Sequence, residues 1–252
     1  MALISLLLLA ALLPYLGHSA SVNVGIVNGT QAKPHSRPYM VSVQVNGIHF
    51  CGGFLVSERL VMTAAHCWNK KPTFTVVLGA HDLSDKNEAT VRVAVEKYQV
   101  HPQYRHDNTY DYDIMLLQLK ETVKKSKTVD LITIPKKDED IPPNAACSIA
   151  GWGKTGTNKS GSNQLLETPT KIIDKRRCNH LWDMSLTPRM VCAFHPGGSC
   201  WGDSGGPLVC NNVAVGIVSF GDENTCENPI KPDVYTKISV VYPWIKSVLK
   251  YV

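Results

Sequence analysis

An all-β fold, a sandwich or a barrel, with one short helix at the C-terminus is the architecture that the sequence predicts. Three observations predict it. Short apolar or alternating runs recur along the chain: YMVSVQV (39–45), FTVVLGA (74–80), VRVAVEKYQV (91–100), IMLLQL (114–119), CSIAGWG (147–153), PLVC (207–210) and VAVGIVSFG (213–221). Turn-forming clusters separate them: Asn46-Gly47, Gly52-Gly53, Asp82 to Asn87 and Thr155 to Asn163. Helical spacing shows only in the tail, where Trp244, Ile245, Val248 and Leu249 share one face and Pro243 is placed to start the helix. Many short strands at this spacing suit a closed or double-layered β structure. The charge-rich stretch over 120–143 (ETVKKSK, then KKDEDIPP) suits a linker between two β lobes.

Composition agrees. With 252 residues, 44% hydrophobic and 19% charged, the chain can bury a full core, which excludes disorder. Its 18 Gly and 15 Pro follow no period, which excludes a collagen-like chain. A net charge of +5 hints at acidic partners such as sulfated polysaccharide; nucleic acid is not expected as a partner.

The N-terminus sets the expected compartment. Residues 2–16 (ALISLLLLAALLPYL) are apolar and uncharged, and small residues follow at Gly17, Ser19 and Ala20. This pattern is that of a secretory signal peptide, read as residues 1–20. The run is too short, and too interrupted by Pro14, to anchor the chain in a membrane. A soluble monomer, secreted or stored in granules, is the expectation. In such a compartment Cys51, Cys67, Cys147, Cys178, Cys192, Cys200, Cys210 and Cys226 predict disulfides. Eight cysteines allow about a hundred pairings, so spacing chooses none of them. No C-x-x-C pair exists, and neither a metal nor another cofactor is expected. The loop carrying His81, Asp82, Asp85 and Glu88 lacks EF-hand spacing and reads as solvated.

Three segments carry chemistry: TAAHC around His66, DIMLL from Asp113, and GDSGGPLVC around Ser204. A serine hydroxyl needs a base to take its proton as it attacks. Histidine is the natural base, and a buried carboxylate orients it and steadies its charged form. Glycines beside Ser204 permit a tight turn that aims backbone N–H groups at a developing oxyanion.

Together these segments resemble the chymotrypsin-type serine proteases, over essentially all of residues 26–252. The order His, Asp, Ser is that family's order. The resemblance implies two six-stranded antiparallel β-barrels with the active site between them. It implies His66, Asp113 and Ser204 as catalytic residues and the N–H groups of Gly202 and Ser204 as the oxyanion hole. It pairs Cys51 with Cys67, Cys147 with Cys210, Cys178 with Cys192, and Cys200 with Cys226. Residues 26–29 (IVNG) are similar to the family's mature N-terminus. Cleavage after Gly25 would then release the Ile26 ammonium to pair with Asp203, leaving 21–25 as a short activation peptide. The family often has Lys or Arg before this cut; Gly25 points to an aminopeptidase or another protease. Short prosegments of this kind, and the stretch AKPHSRPYM (32–40), resemble the granzyme and mast-cell-protease branch.

The specificity pocket departs from the trypsin pattern. Gly198, then Ser199, stand where trypsin-like members carry the selecting Asp. The resemblance places Asp233 on the opposite wall and Gly221 at the mouth, which it would leave open. A confined carboxylate favours a cation, so Lys or Arg is expected with Phe, Tyr and Leu tolerated. The alternatives are a chymase-like preference, with Asp233 satisfied by local backbone, or a glycosaminoglycan-binding protein without catalysis. Ser219, Phe220 and Gly221 resemble the edge that pairs with substrate backbone. Asn28 and Asn158 head glycosylation sequons. Basic pairs and triplets at 70–71, 124–127, 136–137 and 175–177 would suit sulfated polysaccharide. Protein or peptide substrates and serpin-type inhibitors complete the partners that the resemblance implies.

Overall fold

The computed structural model describes residues 26–251 apart from 89, 108, 184–185 and 223–224. The segments read as signal and activation peptides, and Gly25 with them, lie outside the described residues.

After a two-residue strand β1 (Thr30–Gln31) come β2 (Met40–Val45), β3 (Ile48–Ser57), β4 (Leu60–Thr63), β5 (Thr75–Leu78), β6 (Val91–Val100) and β7 (Met115–Leu119). These six close into an antiparallel barrel in the order β2-β3-β4-β7-β6-β5. Asn46 and Gly47 both have positive φ (51° and 80°), as a tight hairpin between right-twisted strands requires, and they turn β2 into β3. The second half contains β8 (Ala146–Gly151), β9 (Leu166–Ile172), helix α1 (Lys175–Trp182), β10 (Met190–Phe194), β11 (Pro207–Cys210), β12 (Val213–Phe220), β13 (Asp233–Lys237) and helix α2 (Ile238–Leu249). Its strands run β9-β10-β13-β12-β11-β8, and β8 pairs back onto β9 to close a second six-stranded barrel. β1 adds to the outer edge of β9.

Each barrel is filled by its own apolar side chains. Phe54, Leu60, Met62, Phe74 and Leu116 are sealed inside the first; Ile149, Leu208, Val218 and Tyr235 pack in the second. α2 crosses back, so that Ile238, Val241, Ile245 and Val248 join the first cluster together with Ala214 and Ile217 of β12. The connection from β7 to β8 runs along both barrels, as a linker there should. Ile132 N–H donates to Leu55 O in the first barrel, and Thr133 bridges to Val213 in the second. Lys237 grips its acidic end through Asp138 (3.0 Å) and Asp140 (2.7 Å). All four disulfides pair as the resemblance implied, each worth roughly 2–4 kcal/mol.

Three expectations need correction. The tail is not the sole helix: α1 is a second one, capped by Asp174, whose carboxylate accepts from Arg176 N and Arg177 N. Its charged sequence hid it, because only Cys178 is buried. Second, α2 begins at Ile238, not Pro243; the proline sits one turn inside and removes a single N–H donor near the helix start. Third, Gly52-Gly53 is no turn but the middle of β3. A side chain at Gly52 would stand 3.1 Å from the Gly206 backbone, so glycine here serves a close crossing. The strands β1, β3, β4, β9, β10 and β13 were not foreseen.

Candidate active site

The two barrels each deliver part of one cleft. β4 ends at Thr63, and a single 3-10 turn (Ala65–Trp68) then presents His66, pinned by the Cys51–Cys67 disulfide. Asp113 precedes β7 at the end of a loop in which Tyr110 and Tyr112 both take left-handed φ (51° and 56°). The Asp113 carboxylate is fully buried and accepts three hydrogen bonds: from His66 N (2.8 Å), His66 Nδ1 (2.7 Å) and Ser219 Oγ (2.6 Å). Because a carboxylate only accepts, Nδ1 carries the proton and the other imidazole nitrogen is the basic one. The Tyr110 ring stands edge-on to the imidazole at 5.8 Å.

Ser204 comes from the second barrel, on the turn that leads into β11. Gly202 (φ 99°) and Gly205 (φ 84°) flank it in conformations that favour glycine. At Gly205 a side chain would also strike Thr63 Oγ1 and Gly52 O. Gly52 N–H donates to Ser204 O (2.8 Å), so the middle of β3 holds the turn from the other barrel. Among the described residues, the N–H groups of Gly202 and Ser204 donate to no protein acceptor. Two free donors thus flank one hydroxyl. His66 and Ser204 line the same cleft, of about 320 Å³, with Ser199, Phe220 and Gly221.

His49, unforeseen from sequence, steadies this turn. Its Nε2–H donates to Gly202 O (3.0 Å), and its Nδ1 accepts from Ser42 Oγ (2.8 Å). Burial pushes its pKa down to about 4, so the ring is neutral. The signal for it was an inverted alternation in β3, where apolar Ile48 and Phe50 are exposed on either side of it. Arg189 was missed too. It holds Asp111 in a two-point ion pair (2.8 and 2.7 Å) and stacks over Tyr112 at 4.5 Å. That clasp braces the loop that ends in Asp113.

Two more carboxylates are buried nearby. Asp203 accepts from Gly153 N (2.9 Å) and Cys200 N (3.0 Å), and burial pushes its pKa up to about 7. Ile26 is sealed in the second-barrel core, and Val27 exchanges two backbone hydrogen bonds with Gly198 (3.0 and 3.1 Å). Asp233 lies behind Ser199 and Gly221. Its Oδ2 accepts from Ser199 N (2.9 Å) and Tyr235 OH (3.4 Å), and burial raises its pKa to about 6. A Cβ at Gly221 would come 2.5 Å from Oδ1 and one at Gly198 2.8 Å from Oδ2. Glycine at both positions lets the backbone pack close against this buried carboxylate. Ser219 sits at a register shift between β12 and β13, which frees its backbone from the ladder.

The peripheral residues are at the surface. Asn158 is exposed; Asn28 is exposed but donates its amide to Pro196 O (3.1 Å). The basic runs at 70–71, 124–127, 136–137 and 175–177 all face solvent. In the 81–88 loop, Glu88 is occupied internally, accepting from His81 N (2.7 Å) and Asp82 N (3.0 Å). The sulfurs nearest His66 are joined in a disulfide and are not free ligands.

Known proteins share this arrangement. A family model described as Trypsin matches residues 26–245. Cathepsin G of Homo sapiens is 36% identical, covering 97% of this chain and 94% of its own length. Mast cell protease 3 of Ovis aries is 39% identical, covering 97% and 95%. The solved structure of neuropsin, a serine protease expressed in the limbic system of mouse brain, superposes with a TM-score of 0.82 at 34% identity, covering 89% of this chain and all of that one. A hydroxyl, an imidazole locked to a buried carboxylate and a pair of unpartnered N–H groups, on two barrels shared with these relatives, leave one conclusion. The chain belongs to the trypsin family and is a chymotrypsin-type serine endopeptidase of the granzyme and mast-cell-protease branch.

Proposed function

We propose that Ser204 is the nucleophile, His66 the general base and Asp113 the group that orients and steadies it. Ser204 Oγ attacks the scissile carbonyl carbon while its proton passes to His66 Nε2. The carbonyl oxygen becomes an oxyanion against the Gly202 and Ser204 N–H groups. His66 then gives its proton to the leaving amine, and water repeats the sequence on the acyl-enzyme with the roles of acid and base exchanged. The observation that carries this reading is the Asp113 carboxylate, whose bond to Nδ1 leaves Nε2 basic. Replacing Ser204 with Ala tests it: peptide cleavage should fall to background with folding unchanged. Undiminished biological effect in that variant would instead favour the glycosaminoglycan-binding reading.

Activation is read as cleavage after Gly25, with the new Ile26 ammonium neutralising Asp203. Support comes from Asp203, a buried carboxylate that no cation faces among the described residues. Asp233 is read as the selector of Lys or Arg, with large aromatics and Leu tolerated. Its place directly behind Ser199 and Gly221, both of which line the cleft, supports this. Ser219 to Gly221 would pair with the substrate backbone as an added strand. Residues 1–20 and 21–25 are read as signal and activation peptides of a secreted or granule-stored monomer. On this reading Asn158 carries a glycan, the exposed basic runs meet sulfated polysaccharide, and serpin-type proteins inhibit it. N-terminal sequencing of the secreted form tests the processing. A chain starting at Ile26 supports it, and its absence refutes it.

A further inference from the structure

We propose that the substrate choice of this enzyme switches with pH through Asp233: ionised, it directs cleavage after Lys or Arg, and protonated, it directs cleavage after aromatic residues or Leu. The inference rests on Asp233 being the pocket's selector and adds that the selector titrates in the working range.

The geometry gives the reason. Asp233 opens β13 and stands behind Ser199 and Gly221; it accepts from Ser199 N at 2.9 Å, from the Ser199 hydroxyl and, at 3.4 Å, from Tyr235 OH, all neutral donors. Among the described residues no cation faces it. The flanking strands add no ionisable group: β12 has none, and Cys192 of β10 is in a disulfide. The remaining neighbours are the Tyr235 phenol on its own strand, the buried Asp203 carboxylate, which it repels, and Asp222 at the cleft. Among the described residues no cation offsets this buried charge, and burial outweighs the three neutral donors and raises its pKa to about 6.

The occupant of the pocket then decides the charge, and the charge decides the occupant. A Lys or Arg side chain supplies the missing counter-charge when Asp233 is ionised. An aromatic ring over the same anion would bury it unpaired. Once Asp233 binds a proton the preference reverses, because the ring meets a neutral carboxyl while an ammonium loses its partner. One proton taken up or released is the whole change.

The test uses the enzyme processed from the full chain to begin at Ile26, and two peptide substrates that differ only in Lys or Phe before the cut. The quantity read is the ratio of their kcat/KM values from pH 5 to pH 8, in which the ionisation of His66 cancels. With Asp233 titrating near 6, the Lys/Phe ratio should rise at least about tenfold over this range. In Asp233→Asn the ratio should be flat and favour Phe. A flat wild-type ratio, with Lys preference lost in Asp233→Asn, overturns the switch but leaves the selector reading intact. Lys preference undiminished in Asp233→Asn overturns both. The wild-type profile decides the switch even if the variant does not fold.

Discussion

Asp113 and Asp233 are both carboxylates buried at one cleft, and the fold treats them oppositely. Asp113 receives three short hydrogen bonds, one from an imidazole, before any substrate arrives. Asp233 is held only by neutral donors, the Ser199 N–H and hydroxyl and a long bond from Tyr235 OH, and among the described residues it meets no cation. Asp203 resembles Asp233: two backbone donors, full burial and a pKa pushed up to about 7. Where the charge must stand ready for chemistry, the protein completes its shell. On the proposed function the other two meet a cation that comes from outside, from a substrate or from a newly cut N-terminus, and the fold supplies them only neutral donors.

The largest way to break this comparison is to spoil the completed shell. Asp113→Asn keeps the shape but can present an amide donor to Nδ1, favouring the wrong tautomer. We expect kcat to fall about 10⁴-fold with little change in melting temperature, read on a peptide ester or amide. A loss under tenfold would mean that Asp113 is structural only.

Next comes the incomplete shell at Asp203. On the proposed activation, Asp203→Asn in the processed enzyme removes the partner of the Ile26 ammonium and loosens the turn carrying the Gly202 donor. A fall of about 10²–10³ in kcat is expected, the scale of losing one oxyanion donor. Before cleavage the same substitution has the opposite sign for stability. The folded-state pKa of Asp203, about 7, lies above its unfolded value of 3.8, so the folded chain binds more protons between them. Its contribution is therefore full below pH 4 and lost as pH rises toward 7. His49, with a folded value of about 4, slopes the other way, gaining stability as pH rises from 4 to 6.5. Asp203→Asn removes the first slope and leaves the second. The unprocessed variant should therefore melt higher than the unprocessed parent at pH 7 and the two should converge at pH 4.

Much of this contrast was legible in the sequence. TAAHC, DIMLL and GDSGGPLVC are short, and each carries its functional residue within a few positions. The runs 91–100 and 207–210 became β6 and β11 with those bounds, since alternation and apolar character speak directly to a strand. What was not legible had competing local signals. Pro169 inside LETPTKI argued against β9, yet it sits in the register opposite Ser148. DVYTK and LVMT are buried throughout, too short to show a period. Paired glycines at 52–53 look like a turn until the turn carrying Ser204 is laid across them. Partners far apart in sequence, such as Arg189 with Asp111 and His49 with Gly202, leave no local trace at all.

Arg189 offers a smaller test on the completed side. Its pair with Asp111 is half-buried and bidentate, and its cation lies over Tyr112. Arg189→Ala should lower stability by about 1–3 kcal/mol, the range for charged hydrogen bonds, or several degrees in melting temperature. In a double-mutant cycle with Asp111→Ala, a coupling near zero would show that the clasp does not brace the Asp113 loop.

The smallest effect should come from the far end of the chain of bonds behind Gly202. Arg92 donates to Gln44 (2.7 Å), Gln44 to Ser42 (3.1 Å), Ser42 to His49 (2.8 Å) and His49 to Gly202 O (3.0 Å). Each bond orients the next, and the last one holds the carbonyl beside a proposed oxyanion donor. Ser42→Ala leaves His49 Nδ1 without its donor inside the barrel, at a cost of about 1 kcal/mol. If the row only stabilises β2 against β3, melting temperature falls and kcat does not. If it also sets the Gly202 turn, kcat falls severalfold at unchanged KM, and a threonine at position 42, which keeps the hydroxyl, restores it. The difference between these outcomes says how far the completed shell around Asp113 extends toward the oxyanion side of the cleft.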